Sequence, residues 1–157
     1  MPGFAKTTAT GHYVATHDST TMGIVERAHE WENQTSKVRI TSDDYGQGTT
    51  LDNLYDGRQM FVQMFCLEWI AQPKEQENAY GTAGTLGSTG VQDTDHAKSL
   101  VMTAAANTPA ATNHASRTCP LAIQDGSVRY QMGNVPRILP ITFELLPNSA
   151  GTYYTEA

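Results

Sequence analysis

Histidine and cysteine are the residues of this chain best suited to bind a metal or to act as a nucleophile, and there are five of the first and two of the second. His12 and His17 lie five positions apart, and His96 directly follows Asp95. A zinc site needs three or four ligands at tight spacing, as in H-E-x-x-H or paired C-x-x-C. Neither pattern occurs, so we interpret the histidines as surface or interface residues and predict no metal.

Acidic residues could suggest calcium, because Asp43, Asp44 and Asp52 lie close together in the chain. An EF-hand loop places acidic ligands at alternate positions and a Glu at the last position, and this segment lacks that arrangement. Asp residues that begin turns account for the cluster better. Asp93 and Asp95 are likewise interpreted as the cap of a helix.

No pattern typical of a nucleophilic enzyme is present, since the G-x-S-x-G turn is missing. Cys119 precedes Pro120, and nothing beside it would activate the thiol. Cys66 lies in an apolar run and should pack as a small hydrophobe, so both cysteines are predicted to be free thiols. Trp31 and Trp69 could line a sugar site, but such residues more often anchor a core or an interface. We therefore predict no catalytic residues and no cofactor.

The elements that would position these residues belong to one β-rich domain. The chain has 157 residues, which is enough for a single domain with a real core. Charged residues make up 17% and hydrophobic residues 39%, both below the averages of about 25% and about 45–50%. This balance argues against a disordered polyelectrolyte and against a helical bundle, and it suits a β domain with uncharged loops.

The charge distribution argues against a protein that grips nucleic acid. The formal net charge is −6, and the ten Lys and Arg residues are scattered along the chain. Binding of phosphates needs a basic patch, which cannot be found here. The first residues have no apolar core of a signal peptide, and no apolar run is long enough to span a bilayer. We expect a protein made in the cytoplasm, without a membrane partner.

The first third of the chain is predicted to form strands. The predicted strands are residues 12–16, 22–32 and 36–42, with a turn at 17–21. Asn33-Gln34 suits a tight turn, so the last two strands should form a hairpin. That hairpin would place Glu30 opposite Lys37, which is an attractive cross-strand pair.

Residues 58–70 give the strongest strand signal. One face holds Met60, Val62, Met64 and Cys66. The other face holds Phe61, Phe65, Leu67 and Trp69. Because both faces are apolar, both should be covered, either by a second layer of this chain or by a second subunit.

The rest of the chain is predicted to continue the β pattern with one helix. A helix is predicted to begin at 93–95, or instead a strand is predicted at 99–103. Strands at 118–124 and 127–132 should form a hairpin around Asp125-Gly126. Further strands are predicted at 137–146 and 151–155. The strand at 137–146 should turn Leu139, Ile141, Phe143 and Leu145 inward, and Pro140 should make it an edge strand or a bulge.

Three segments are predicted to lack regular structure. Residues 1–11 are interpreted as an N-terminal arm. Residues 43–57 are rich in turn-forming residues, yet they carry four large side chains and should dock on something: Tyr45, Leu51, Leu54 and Tyr55. Residues 73–92 are interpreted as a flexible Gly-rich loop, longer than most loops of compact domains. Together the segments predict a single, mainly β domain over residues 1–157, a sandwich or barrel-like subunit with one flanking helix and long extended loops.

The order of these parts resembles the tail tube (major tail) proteins of tailed bacteriophages. In that family a charged strand leads to a D-x-Y-G-type loop, followed by an Asp, a Gly and a long apolar strand. The matching positions are Asp43, Asp44, Tyr45, Gly46, Asp52, Gly57 and the run 58–70. The C-terminal RILPITFELLPNSAGTYY also resembles the closing strand of that family. The loop at 73–92 departs from the family pattern.

The resemblance implies a virion structural protein of the tail and not an enzyme. Subunits would form hexameric rings that stack into a tube, bind other tail and neck proteins, and let genomic DNA pass through the lumen without specific binding. The residues expected at subunit interfaces are Tyr45, Gly46, Leu51, Asp52, Leu54, Tyr55, Phe61, Phe65 and Trp69. The acidic balance would suit this passage of DNA.

Two other classes of function stay open on the sequence. The first is another phage structural β protein: a capsid decoration protein, a tail terminator or an adaptor ring. The second is a carbohydrate-binding module or a small β-fold hydrolase. A finite ring in solution would favour the first class, and a monomer that binds glycans would favour the second.

Overall fold

A computed structural model of the chain describes residues 13–25, 27–42, 44, 49–67, 71–104, 116–134 and 138–156. These residues form one antiparallel sheet of eight strands with two short helices, so the predicted mainly β class is confirmed. The strands are β1 (Tyr13–His17), β2 (Thr20–Thr21), β3 (Glu30–Ser42), β4 (Thr49–Cys66), β5 (Lys98–Ala104), β6 (Arg117–Asp125), β7 (Leu139–Leu146) and β8 (Thr155–Glu156). The helices are α1 (Ala71–Glu75) and α2 (Asp93–His96). The predicted N-terminal arm at 1–11 lies outside the described residues.

The sheet closes on itself. Its strands follow the order β2-β1-β5-β6-β7-β4-β3, and β8 pairs with the start of β6. The segment after β2 connects β1, near one end of this order, to β4, near the other end. The Met22 amide donates to the Ala15 carbonyl of β1 at 2.9 Å, and Val25 forms an antiparallel bridge with Cys66 at the end of β4. This crossing gives the sheet a barrel-like form with few open edges.

The core lies inside this barrel and is built from alternate residues of the paired strands. The largest contributions come from Met60, Val62, Met64 and Cys66 of β4 and from Leu139, Ile141, Phe143 and Leu145 of β7, each no more than 5% exposed. Alternate residues of a strand point to the same face, so the two-residue periodicity of the sequence identifies this inward face correctly.

The first predicted strand and turn are confirmed by β1, β2 and the connection between them. Asp18 and Ser19 have φ angles of 51° and 64°, as a two-residue hairpin turn requires. The strand expected over 22–32 is wrong in its first part. Between β2 and Glu30 the described residues form no strand but only an isolated bridge, from Val25 to Cys66 of β4.

The hairpin predicted at Asn33-Gln34 is also wrong. β3 runs unbroken through both residues and pairs along its whole length with β4. The predicted pair of Glu30 with Lys37 therefore does not form, since both residues belong to the same strand. Long-range pairing thus overrides the local turn preference of two polar residues.

Both interpretations of the segment after residue 92 are right in part. α2 has only four residues, and its N-cap is Gln92, without a side-chain cap hydrogen bond, instead of Asp93. The strand expected at 99–103 is confirmed as β5. The predicted single flanking helix is therefore two short helices, α1 and α2.

The hairpin predicted at Asp125-Gly126 is wrong, because residues 127–134 contain no strand. β6 instead pairs with β5 on one side and with β7 on the other. The edge position expected for β7 is wrong as well, since it lies between β6 and β4. Pro140 is tolerated because β6 pairs with β7 only from Thr142 onward.

Candidate subunit interface

A two-stranded hairpin extends beyond the barrel. β4 pairs with β7 only over Met60–Cys66, whereas its pairing with β3 continues out to Thr49. We call residues 34–42 and 49–59 the ribbon. Its length is about 30 Å at the usual rise of a strand. The predicted docking loop at 43–57 is wrong as a loop, because its residues from 49 onward belong to β4.

Two bulges explain how turn-forming residues enter a strand. The register with β3 shifts twice, which leaves Leu51 and Asp56 without an opposite residue. The Ser36 hydroxyl donates to the Asp56 carboxylate at 3.4 Å, and Gly57 has a φ of 144°, a region that favours glycine. A bulge adds local twist and bend, so the ribbon can leave the curvature of the barrel.

One side of the ribbon is apolar. Val38 pairs with Leu54, and Ile40 follows two positions further along β3 on the same side. The Val38, Leu54 and Ile40 side chains are 51%, 56% and 38% exposed, respectively. Asp52 lies opposite Ile40 and also belongs to this side. We call Val38, Ile40 and Leu54 the apolar face.

The reverse side of the ribbon is basic. Lys37 pairs with Tyr55, and Arg39 pairs with Asn53, so the two cations and the aromatic ring share one side. All are exposed, and Tyr55 is 65% accessible. Neither cation has an ion-pair partner among the described residues. We call Lys37, Arg39 and Tyr55 the basic face.

The ribbon holds a disproportionate share of exposed apolar surface. Five of the eleven exposed large hydrophobic side chains of the described residues lie on it: Val38, Ile40, Leu51, Leu54 and Tyr55. A two-stranded hairpin alone is marginally stable in water. Clustered exposed apolar side chains of this kind are typical of interaction surfaces, so the ribbon is the candidate interface of the described residues.

The structure brings together some of the predicted interface residues and separates others. Leu51, Asp52, Leu54 and Tyr55 all lie on the ribbon. Phe61 and Phe65 lie on the outer side of the barrel, where both are half-buried. Tyr45, Gly46 and Trp69 fall outside the described residues.

The outer side of the barrel strand is partly covered by the chain itself. The guanidinium of Arg27 lies 4.4 Å from the ring centre of Phe65, as in a cation–π contact. Within 60–66 the expected covering of both faces thus takes two forms: a buried core face and a half-buried outer face. Sequence reasoning missed Lys37, Val38, Arg39 and Ile40 as candidates for an interface, although their strict alternation was a signal for the two faces of the ribbon.

An aromatic cluster holds the ribbon at its root. Trp31 of β3 meets Tyr154 edge-on with ring centres 5.5 Å apart. The Arg117 guanidinium lies 4.6 Å from the centre of each of these two rings, and its Nε also pairs with Glu156 at 2.8 Å. The C-terminal segment therefore fixes β3 against the start of β6, so the ribbon leaves the barrel in a defined direction.

Residues 76–97 form a compact excursion over the outer side of β6. The Asn78 amide donates to the Thr85 carbonyl at 2.9 Å, and its carbonyl oxygen accepts from the Tyr80 amide at 3.1 Å. Gly81 and Gly87 are so close that a Cβ on Gly81 would lie 2.8 Å from the Gly87 Cα. The predicted Gly-rich loop is thus a hydrogen-bonded structure centred on one side chain. We call residues 76–97 the excursion.

The excursion is an acidic region. It contains Glu77, Asp93 and Asp95 and no Lys or Arg. The Tyr80 hydroxyl donates to Asp93 at 2.6 Å, and this bond, with burial and the neighbouring carboxylates, raises the pKa of Tyr80 to about 12. Burial raises the pKa of Glu144 beneath it, and the charges of Asp125 and Asp93 add to that shift.

A buried polar group supports the excursion from below. His17 Nε2 lies 3.3 Å from the Ala122 carbonyl, and its Nδ1 lies 3.5 Å from the Gln76 amide. A cleft of about 380 Å³ opens beside it, and its charged lining residues are of both signs, including Lys74 and Glu75. The cleft therefore has no preference for one sign of charge.

The described residues offer little for catalysis or metal binding. Burial raises the pKa of Cys66 to about 11 and that of Cys119 to about 12, so both thiols stay protonated and unreactive at neutral pH. No group of three His, Cys, Asp or Glu side chains among these residues is placed to hold a metal. Nor does the described part of the chain include a helix long and apolar enough to cross a membrane.

Comparison with solved structures finds a fold similar to that of this chain. No protein-family model matches the chain, and no curated protein matches it. Among solved structures, the chain is similar to the tube terminating cap of the anti-feeding prophage, determined by cryo-EM. The TM-score is 0.51 at 12% sequence identity, and the likeness covers 100% of this chain and 99% of the cap. The two proteins therefore share a fold over their whole length.

Proposed function

We propose that the chain is a non-enzymatic structural subunit of a phage-tail-like particle, where copies of it form a ring that caps the tail tube. The ribbon carries this proposal, because it exposes an apolar face that a neighbouring subunit could cover. The shared fold with a tube terminating cap supports the terminal position, and the likeness spans nearly all of both chains.

A second candidate is the tail tube itself, built from stacked rings. The two faces of the ribbon favour it, since a subunit with an apolar and a basic side can make two different contacts. The sequence resemblance to tail tube proteins adds support. In either case the proposed ring is hexameric, its partners are other tail proteins, and the net charge of −6 suits a lumen through which DNA passes without binding.

The test is negative-stain electron microscopy of the concentrated protein, combined with light scattering over a range of concentrations. Rings of one fixed size support the cap, and tubes with a regular axial repeat support the tube. A monomer at every concentration overturns both, and glycan binding by that monomer would favour a carbohydrate-binding module. A finite trimer would point to a capsid decoration protein.

The contribution of the ribbon can be tested with one variant and a matched control. Leu54→Ser removes apolar area from the ribbon, and Met132→Ser does so at a residue that is 77% exposed outside it. We expect only Leu54→Ser to raise the concentration needed for assembly. Equal effects of the two substitutions would contradict a specific role of the ribbon.

A further inference from the structure

Leu86 is the most exposed large hydrophobic side chain of the described residues, at 87%. It lies in the hydrogen-bonded part of the excursion, between Gly84 and Gly87, which have φ angles of 80° and 76°. Val91, further along the excursion, is 40% exposed. The excursion thus presents two apolar side chains that the described residues leave exposed.

The excursion and the basic face of the ribbon are complementary in two respects. The excursion has three carboxylates and no Lys or Arg, whereas Lys37 and Arg39 lie together without an ion-pair partner among the described residues. The excursion also exposes aliphatic surface, and the basic face exposes the ring of Tyr55. Tyrosine and arginine are among the residues that most often contribute strongly to interfaces.

We infer that the basic face of the ribbon of one copy binds the excursion of a second copy. Tyr55 would pack on the apolar surface of Leu86, while Lys37 and Arg39 would face the carboxylates of the excursion. This inference rests on the proposed function and adds the receiving surface to it. The apolar face of the ribbon remains available for a different contact.

This contact joins two different surfaces of the same chain, so it is heterologous. A heterologous contact closes into a ring when a whole number of equal rotations between neighbours completes one turn without a shift along the axis. The ribbon projects about 30 Å from the barrel, which is long enough to leave its own subunit and lie on the next. Each copy would then give one ribbon and receive another.

Charge reversal tests the electrostatic part of the contact. Arg39→Glu and Asp95→Lys should each raise the concentration for half-assembly at least tenfold, because like charges would then oppose each other. Arg129→Glu, which reverses an exposed cation outside the ribbon, is the control and should have little effect.

An equal mixture of the two interface variants should recover assembly. In an alternating ring, the carboxylate introduced on one ribbon would meet the ammonium group introduced on the neighbouring excursion, and every remaining contact would be unaltered. The double variant Arg39→Glu/Asp95→Lys should assemble by itself for the same reason. If neither the mixture nor the double variant assembles, the proposed pairing of Arg39 with Asp95 is contradicted.

Cross-linking tests the geometry independently of charge. Cysteine introduced as Tyr55→Cys in one copy and Leu86→Cys in another should form a disulfide, and both native thiols are buried and should not compete. Leu54→Cys on the opposite face of the ribbon is the matched control and should not cross-link to Leu86→Cys. A wild-type protein that never assembles would overturn the proposed function. A wild-type protein that assembles while neither charge reversal nor cross-linking behaves as expected would overturn this inference alone.

Discussion

The barrel and the ribbon are built from the same kind of backbone, yet they differ in what covers them. In the barrel, β4 and β7 bury their alternate apolar residues to 5% exposure or less. In the ribbon, the continuation of β4 leaves Leu54 and Tyr55 more than half exposed. Backbone pairing is present in both regions, so the difference between them is a buried apolar face, which the barrel strands have and the ribbon lacks.

The largest expected effect breaks the barrel. Phe143 is fully buried, and its ring centre lies 5.0 Å from that of His17. Phe143→Ala should lower the free energy of unfolding by about 3–5 kcal/mol, because it leaves a cavity among close-packed side chains. Denaturant unfolding measures this loss, and Met132→Ala at an exposed position is the control. A loss below about 1 kcal/mol would mean that the barrel is packed as loosely as the ribbon.

The barrel was largely predictable from the sequence, and the ribbon was not. Two-residue alternation identified Leu139, Ile141 and Phe143 as core, because one buried face imposes a strict period. The ribbon lacks that constraint: its Asp, Asn and Gly residues favour turns locally, and only the pairing with β3 makes them a strand. The wrong prediction of a hairpin at Asn33-Gln34 has the same cause. These two residues have a weak local preference for a turn, and the pairing with β4, which is distant in sequence, overrides it.

Two glycine substitutions test whether Asn78 organises the excursion, because only one of them would place a methyl group against Asn78. Gly84 and Gly87 both have positive φ, but a Cβ on Gly84 meets nothing within 4 Å, whereas one on Gly87 would lie 2.9 Å from both terminal atoms of Asn78. Gly84→Ala should cost about 1 kcal/mol of backbone strain. Gly87→Ala should cost about 2–3 kcal/mol, because the Asn78 hydrogen bonds must also break.

Equal losses for the two alanine variants in denaturant unfolding would show that Asn78 does not organise the excursion. Such a result would make the excursion similar to the ribbon in needing a partner for its shape. A larger loss for Gly87→Ala, as expected, would show that the excursion is held by contacts within its own chain, as the barrel is.

The next effect concerns the pH dependence of stability at a histidine between β2 and β3. Both ring nitrogens of His29 are buried without a hydrogen-bond partner among the described residues. Burial lowers the pKa of His29 below its ordinary value of 6.5, and the nearby Tyr13 backbone only partly opposes this shift. Above pH 6.5 both the folded and the unfolded chain hold the neutral ring. As pH falls below 6.5, the unfolded chain takes up the proton first, so stability should decrease.

The change that isolates this effect is His29→Phe, which keeps a ring and removes the titration. Unfolding should be measured at about pH 7 and about pH 5, and the wild type should lose more stability than the variant, by up to about 1.4 kcal/mol per pH unit. An identical pH dependence of both proteins would show that His29 has a partner when the chain is folded.

The smallest expected effect is on the stability of a single subunit when the ribbon is changed. Leu54→Ala should alter the free energy of unfolding of the monomer by less than about 0.5 kcal/mol, because the side chain is already 56% exposed. Hydrogen exchange should agree: amides of the ribbon exchange quickly in the monomer, while those of β7 are protected. Assembly should then slow exchange in the ribbon without changing β7, since only the ribbon gains a covering surface. Ribbon amides already protected in the monomer would mean that the hairpin needs no partner, and the contrast between the two regions would disappear.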